Sequence, residues 1–159
     1  MGKIVLPIKR FLTMPQCPAA WKRHNLYLFR DDELVFYVGQ SRHAFGRVWD
    51  HLHDGFKGRS AVGRFVLCNW PRSMRFIVEL MNSRSARFDI VGNNLDAAER
   101  HLIAGLSPCF NEALNERPTP LPATYSPPNA SVRHPKSIKT MMRQAEYALR
   151  KDSRKAAWR

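Results

Sequence analysis

Two short runs of aromatic and branched residues, separated by acidic residues, constrain the fold of this chain more than any other feature. The runs occupy residues 26–29 and 34–38, and Asp31, Asp32 and Glu33 lie between them. This pattern predicts a β-hairpin. If the three acids form the turn, Tyr27 lies opposite Tyr37 on one face of the hairpin, with Arg30 paired to Leu34. A two-residue turn would place the tyrosines on opposite faces, so the turn length decides whether they can act together.

Two segments after the hairpin have apolar residues at helical spacing. Apolar residues predict a helix from about Ala44 to Asp54, with Gly55 as its C-terminal cap. A second helix is predicted to begin at Asp96 or just before it. It ends near Leu106, because Pro108 cannot continue a helix.

The segments between these helices give weaker patterns. Residues 75–81 alternate in polarity and predict a third strand. We expect a short helix through Phe65, and a strand through Phe88 and Ile90. Together the elements predict an α/β fold of the α+β type, in which a small, mainly antiparallel sheet of three strands is flanked by helices.

The positive charge lies at the two ends of the chain. Of 159 residues, 26 are Lys or Arg and 13 are Asp or Glu, which gives a formal net charge of +13. Residues 1–24 carry five basic and no acidic side chains, residues 117–159 carry ten basic and two acidic, and residues 25–116 carry eleven of each. A nucleic acid is the partner that such a basic excess indicates first, because Lys and Arg release the counterions condensed on phosphates. An anionic membrane surface and a solubilising charge are the alternatives.

Both ends are predicted to be appendages of a central domain. Residues 1–24 are interpreted as a basic N-terminal arm, and residues 117–136 as an extended, unpacked linker that holds six of the eleven prolines. Residues 137–159 predict an amphipathic helix with Ser137 as its N-cap. We expect nucleic-acid contacts from the loop residue Arg42 and from the cationic faces of this helix: Lys139, Arg143, Arg150, Lys151, Arg154 and Lys155.

Several classes of protein are disfavoured. No run approaches the roughly 18 apolar residues of a transmembrane helix, and the N-terminus lacks a signal sequence. We therefore expect a soluble cytoplasmic protein without a membrane partner, associated with the nucleoid if the host is a prokaryote. The widely spaced Cys17, Cys68 and Cys109 argue against a disulfide framework and a cysteine-rich zinc site.

Three polar residues on the predicted helices are candidates for chemistry. Arg47 and His51 stand four apart and share a helix face beside the apolar stripe. Glu99 is in line with the buried stripe of the second helix. Asp96-Ala-Ala-Glu99 also resembles a capping box, in which Glu99 would bond back to the start of its own helix. Glu99 is therefore either a cap or a metal ligand.

Taken in order, these residues resemble the GIY-YIG nuclease domain of homing endonucleases, some restriction enzymes and the incision subunit of bacterial nucleotide-excision repair. The matching positions are Asn25-Leu26-Tyr27, Tyr37-Val38-Gly39-Gln40-Ser41, Arg47, His51, Glu99-x-x-Leu102-Ile103, Pro108 and Asn111. The resemblance implies a nuclease domain over residues 25–116. Asn25 stands where the family has its first glycine, and residues 57–93 match poorly.

The resemblance implies a metal-dependent endonuclease that hydrolyses DNA phosphodiester bonds. Glu99 would hold a single divalent ion, Mg²⁺ with Mn²⁺ as a possible substitute, because carboxylate oxygen suits hard cations. Arg47 would stabilise the charge that develops on the phosphoryl oxygens.

The resemblance also implies that a tyrosine activates the attacking water. We assign this role to Tyr37 ahead of Tyr27. A free phenol has a pKa of about 10, so nearby positive charge must lower it. His51 would accept or relay the proton, and Asn111 would brace the site from the end of the second helix.

Two other classes of function remain open. One is a non-catalytic DNA-binding or ribonucleoprotein component on a nuclease-derived fold. The other is a peripheral membrane protein, for which the helix in residues 137–159 is a poor anchor because its only tryptophan, Trp158, lies at the far end. The sequence does not distinguish DNA from RNA, or a monomer from a homodimer.

Overall fold

A four-stranded antiparallel sheet flanked by helices forms the framework, in a computed structural model that describes residues 2–158 and only the backbone of Phe56. The strands are β1 (Ile4–Pro7), β2 (Leu26–Arg30), β3 (Val35–Gln40) and β4 (Ile77–Met81), in the spatial order β1-β4-β2-β3. The helices are α1 (Ile8–Phe11), α2 (Ala44–Phe56), α3 (Ala61–Cys68), α4 (Leu95–Leu106) and α5 (Ile138–Ala157). Short 3₁₀ turns cover Ala19–Trp21, Arg72–Arg75 and Ala86–Val91.

The predicted hairpin forms as β2 and β3, but its register differs from the prediction. Arg30 pairs with Val35 rather than Leu34, and Tyr27 pairs with Gly39 rather than Tyr37. The reason is the turn, in which the Asp31 carboxylate accepts the backbone N–H groups of residues 33 and 34. This turn takes up residues 31–34, and the pairing shifts at its base. Tyr27 and Tyr37 are diagonal neighbours on one face.

The N-terminal segment is part of the domain, so the predicted basic arm is wrong for residues 4–12. β1 pairs with β4, which gives the sheet four strands rather than three. The side chains of Ile8, Phe11 and Leu12 are fully buried beneath the helices. The apolar residues of this short segment decide its position, and its basic residues point outward.

Each face of the sheet carries its own core. On one face Leu26, Leu28 and Val38 pack against α4. On the other, Tyr27 and Phe29 pack against α1, α2, α3 and α5. Because side chains alternate between the two faces along β2, Tyr27 lies on the side of α2, whereas α4 covers the opposite face.

Helices α2 and α3 pack against each other at a close crossing of two glycines. A Cβ on Gly55 would lie 2.2 Å from the backbone carbon of Gly63. Gly55 lies inside α2, because the helix continues to Phe56. The predicted C-cap at this glycine is therefore wrong. The short helix predicted through Phe65 is confirmed as α3.

The remaining central elements agree with the prediction except in one segment. Helix α4 and strand β4 form, although β4 begins two residues later than predicted. The predicted strand through Phe88 and Ile90 is wrong, because this segment is a 3₁₀ turn that buries Phe88 and leaves Ile90 exposed. A left-handed Gly92 ends the turn.

The C-terminal region packs on the domain. Helix α5 forms as predicted, with the Ser137 hydroxyl accepting the Thr140 N–H at 3.2 Å. Its Met141 and Ala145 are buried in the core that contains α1. Residues 117–136 have neither helix nor strand, but they are not an unpacked linker, since Tyr125 packs on the core and donates to Asp31 at 2.6 Å. Within residues 2–158 no helix is both long and apolar enough to cross a membrane.

Candidate active site

Tyr27 is held by the strand that lies next to it. Its ring crosses Gly39, where a Cβ would stand only 2.3 Å from the Tyr27 hydroxyl oxygen. Only glycine leaves room for the ring in this position. Tyr27 is 2% exposed, and its hydroxyl lies 2.7 Å from Nε2 of His51.

His51 connects the sheet to α3. Its Nδ1 lies 2.7 Å from the Ser60 hydroxyl oxygen, which also accepts the Gly63 N–H at 3.1 Å as the N-cap of α3. The glycine crossing makes this possible, because a Cβ on Gly63 would be 1.8 Å from the His51 carbonyl oxygen. Tyr27, His51 and Ser60 form a continuous buried chain of hydrogen bonds.

The hydrogen-bond partners of His51 indicate which of its ring nitrogens carries the proton. Burial, helped by the Arg47 charge, lowers the pKa of His51 to about 4, so its ring is neutral at pH 7. In residues 2–158, the only hydrogen-bond acceptor found for the Ser60 hydroxyl is Nδ1 of His51, whereas the Tyr27 hydroxyl has a second partner in Tyr37. Ser60 therefore donates to Nδ1, and His51 donates from Nε2 to the Tyr27 oxygen. This direction leaves the proton of Tyr27 free to point away from the histidine.

Tyr37 forms the outer side of the same aromatic cluster. Its ring lies 6.2 Å from that of Tyr27 and 5.2 Å from that of His51, measured between centroids. Tyr37 is partly exposed, whereas Tyr27 is enclosed. Of the two phenols, Tyr37 is the one that a solvent molecule can reach.

Both phenols are held in the protonated state. Burial raises the pKa of Tyr27, and the neighbouring Tyr37 adds to the rise. Burial also raises the pKa of Tyr37, followed by the negative charge of Glu99, while Arg47 opposes both increases. A tyrosine that acts as a base at this site requires further positive charge.

Arg47 lies at the open side of this cluster. Its side chain is 44% exposed, and its closest carboxylate, that of Asp50, is 3.9 Å away. An ion pair at that distance and exposure contributes little. The Arg47 charge therefore remains available, and it acts on the pKa of both tyrosines and of His51.

Glu99 is not the cap of its helix. The N-cap of α4 is Asn94, whose side chain accepts the Ala97 N–H at 3.0 Å, so the capping-box alternative for Glu99 is wrong. Burial raises the pKa of Glu99, and the charge of Asp96 raises it further. In residues 2–158 no ion pair neutralises this carboxylate.

The surroundings of Glu99 fit a hard cation that keeps most of its water. Carboxylate and phenol oxygens are hard donors, and a cation would stabilise the charged form of Glu99, which burial and the Asp96 charge disfavour. The described residues contain no group of three or more His, Cys, Asp or Glu side chains arranged around one point. Glu99 is the carboxylate that would hold the ion implied by the resemblance, with Asp96 as a nearby second charge.

Asn111 has a structural position. Its side-chain oxygen accepts the Val38 N–H and its amide donates to the Val38 carbonyl, both at 2.9 Å. Asn111 is buried, and both ends of its amide are occupied. It holds the outer edge of β3 in place next to Tyr37.

The side chains predicted to contact nucleic acid lie in two places. Arg42 is exposed between β3 and α2, where it lines an open depression that reaches the start of α4. The cationic side chains of α5 are exposed on a helix that packs against α1. Arg150 is 3.9 Å from Glu146, an exposed pair that contributes as little as that of Arg47, and Asp152 of this helix contacts Lys9 of α1.

Ser60 is the site residue that sequence reasoning missed. A serine ahead of an apolar run is a recognisable N-cap signal. Its contact with His51 depends on the crossing angle of α2 and α3, which the sequence does not reveal. The pair Gly55 and Gly63 was the available signal, because small residues on two adjacent helices allow close packing.

Comparison of the chain with protein-family models, with curated proteins and with solved structures finds no match.

Proposed function

We propose that this chain is a metal-dependent endonuclease that hydrolyses phosphodiester bonds in DNA. The observation that supports the proposal is the convergence of Tyr27, Tyr37, Arg47, His51 and Glu99, which come from β2, β3, α2 and α4. Tyr27, Tyr37, Arg47 and Glu99 each alter the pKa of at least one other member, and His51 contacts both tyrosines. Their types match those that phosphodiester hydrolysis needs: a cation anchor, a permanent positive charge and groups that move a proton.

The outer residues would act on the phosphate and the water. Glu99 would hold Mg²⁺, or Mn²⁺ in its place, which supplies charge stabilisation and lowers the pKa of groups beside it. Arg47 would donate to the phosphoryl oxygens as negative charge accumulates on them. Tyr37, the partly exposed phenol, would lose its proton to solvent, and the phenolate would accept a proton from the attacking water. The water oxygen would form the new bond to phosphorus while the bond to the leaving oxygen breaks, and the leaving alkoxide would take a proton from solvent.

The inner residues would orient the outer ones. His51 donates to the Tyr27 oxygen, which leaves the proton of Tyr27 directed towards Tyr37 and the open side. Tyr27 would thereby support negative charge on Tyr37. This arrangement gives His51 a role as a hydrogen-bond donor, in contrast to the proton acceptor expected from the resemblance.

The test is incubation of the protein with supercoiled plasmid in Mg²⁺, with three parallel controls. EDTA removes the cation, Glu99→Gln removes the anchor at constant shape, and Glu112→Gln removes an exposed glutamate elsewhere. We expect nicking by the wild type and by Glu112→Gln only. Equal cleavage by wild type and Glu99→Gln would contradict the proposal. Nicking alone indicates a monomer that cuts one strand, whereas linear product without a nicked intermediate indicates a homodimer.

A non-catalytic nucleic-acid-binding protein is the second candidate. The raised pKa of both tyrosines favours it, because neither phenol is ready to act as a base. A gel shift without cleavage of plasmid, single-stranded DNA, branched DNA or RNA would support this candidate over the nuclease.

A further inference from the structure

A concave basic surface lies at the start of α4, the helix that carries Glu99. It is an open depression of about 490 Å³. Four exposed basic side chains line it, and no acidic side chain of the described chain does: Lys22, Arg23, Arg42 and Arg84. We refer to these four residues as the basic concavity.

Two amides, of buried Asn82 and partly buried Asn25, hold the walls of the basic concavity together. Asn82 donates to the Arg23 carbonyl at 2.8 Å and accepts the Arg84 N–H at 2.9 Å. Asn25 donates to the Ser83 hydroxyl at 3.0 Å and accepts the Ser83 N–H at 2.9 Å. Both bridges join the segment before β2 to the segment after β4. The Asn82 bridge uses only backbone atoms of Arg23 and Arg84, and within residues 2–158 no hydrogen bond to their guanidinium groups is found.

The four charges are not neutralised by the protein. In residues 2–158 none of them lies within 4.0 Å of a carboxylate oxygen. They come from three separate segments, which converge where β2 begins and where β3 and β4 end. Fixing four like charges around one depression is unfavourable without a counter-charge, so the arrangement indicates an anionic ligand.

The basic concavity reaches the first turn of α4, the helix that carries the candidate metal anchor. Leu95 lines it, and Glu99 follows Leu95 by four residues on α4, so both lie on the same side of that helix. Gln40, at the end of β3, donates to Asp96 at 2.7 Å and joins the strand to this helix. A chain of phosphates could therefore run from Glu99 into the basic concavity.

We propose that the basic concavity binds the phosphate backbone of a nucleic acid next to the phosphate that is cleaved at Glu99. The proposal rests on the proposed function for the identity of the neighbouring site. It places the main backbone contact at Lys22, Arg23 and Arg84, together with Arg42, rather than on α5. An anionic membrane is disfavoured because Leu95 is the one apolar side chain lining the depression in the described chain.

The experiment measures binding separately from cleavage. The Kd of a fluorescent DNA duplex is determined by anisotropy without divalent cation, at several salt concentrations, for wild type and two double variants. Lys22→Gln/Arg84→Gln removes two charges from the basic concavity. Lys151→Gln/Arg154→Gln removes two exposed charges from α5 and is the matched control. Thermal melting checks that all three proteins are folded.

We expect the concavity variant to weaken binding by about tenfold or more and to reduce the slope of log K against log salt by about 2. The α5 control should change both quantities less. The reverse ranking, or an unchanged salt slope in the concavity variant, would overturn the proposal. If the concavity variant melts early, the charge reversal Arg84→Glu alone replaces it, with Arg154→Glu as its control and the same expected ranking.

Two further experiments distinguish a nucleic acid from other anionic ligands. Inorganic phosphate at constant ionic strength should displace little DNA. Any sedimentation of the protein with phosphatidylserine vesicles should not depend on Lys22 and Arg84. Strong displacement by phosphate would indicate a small-anion site, and vesicle binding lost in the concavity variant would indicate a membrane. Either result would overturn the proposal.

Failure of this proposal differs from failure of the proposed function. Cleavage by the wild type, with unchanged DNA binding by the concavity variant, would contradict the proposed role of the basic concavity and support the nuclease. Weakened DNA binding by that variant, without any cleavage by the wild type, would support the nucleic-acid site and contradict the nuclease.

Discussion

Tyr27, His51 and Ser60 are 2%, 6% and 8% exposed, whereas Tyr37, Arg47 and Glu99 reach the solvent. The first three, the inner half of the site, are joined by short hydrogen bonds and surrounded by closely packed glycines. The second three, the outer half, are joined mainly through charge. In the proposed nuclease, the fold would therefore fix the groups that orient the reaction and leave accessible the groups that would touch substrate. Changes in the inner half should alter stability and activity together, and changes in the outer half activity alone.

The largest effect is expected in the outer half, from Arg47→Lys. Lysine keeps the charge but loses the planar donor pair, so single-turnover cleavage should fall by about 10²–10³-fold. The melting temperature should not change, because the side chain is exposed. The matched control is Arg59→Lys, an exposed arginine beyond α2. A fall in melting temperature would show that Arg47 has a structural role.

The second effect is on stability and concerns His51. Its pKa is about 4 in the folded protein and 6.5 as a free side chain, so the unfolded chain binds the extra proton between these values. Stability attributable to His51 is complete above pH 6.5 and is lost as the pH falls towards 4, by at most about 3 kcal/mol. Denaturant unfolding from pH 7 to pH 4 should show this loss in the wild type and in His53→Gln, an exposed control. His51→Gln should lack it, and parallel curves for all three would contradict the assignment.

The third effect is on stability and activity together, and concerns the close contact between Gly39 and Tyr27. In Gly39→Ala the new methyl group collides with the Tyr27 hydroxyl, and displacement of Tyr27 breaks its bond to His51. We expect a loss of about 2 kcal/mol in unfolding free energy, together with reduced cleavage. Gly46→Ala is the control, because its nearest neighbour would be 3.9 Å away, and alanine should stabilise this helical position by about 1 kcal/mol. Equal stability of the two variants would show that the contact between Gly39 and Tyr27 is loose.

The smallest effect is expected from Ser60→Ala. The variant loses the N-cap of α3 and the donor to His51, at a cost of about 1 kcal/mol. Nitrogen NMR of the imidazole should show the Nε2–H form in the wild type and in Ser60→Thr, but a mixture of tautomers in Ser60→Ala. Ser137→Ala, which removes the cap of α5, should cost stability without changing the histidine signals. An unchanged tautomer in Ser60→Ala would show that the serine only caps its helix.

Local patterns in the sequence predicted most of the secondary structure. The hairpin, α2, α3, α4 and α5 follow from apolar spacing and helix signals that involve neighbouring residues. The hairpin register could not be predicted, because it depends on whether Asp31 accepts the N–H groups of its own turn. β1 was missed since a four-residue strand gives too short a pattern, and it gains its partner only when β4 is placed beside it.

The candidate site was predictable in its residue types but not in its connections. The positions of Tyr27, Tyr37, Arg47, His51 and Glu99 came from an ordered resemblance. Which atom bonds to which came from the packing of α2 on α3 and from the room left by Gly39. The charge count by segment did not reveal the basic concavity, because this surface combines residues from the N-terminal segment with Arg42 and Arg84 from the neutral middle.

The outer edge of β3 has a consequence for self-association. Edge strands commonly recruit a strand from another chain through their free peptide groups. Here the carbonyls of Val35 and Phe36 accept N–H groups from residues 109 and 110, and the amide of Asn111 matches both peptide groups of Val38. A second copy therefore cannot extend the sheet along this stretch of β3. Two active sites that cut opposite strands of one duplex would have to be brought together through a different surface of the molecule.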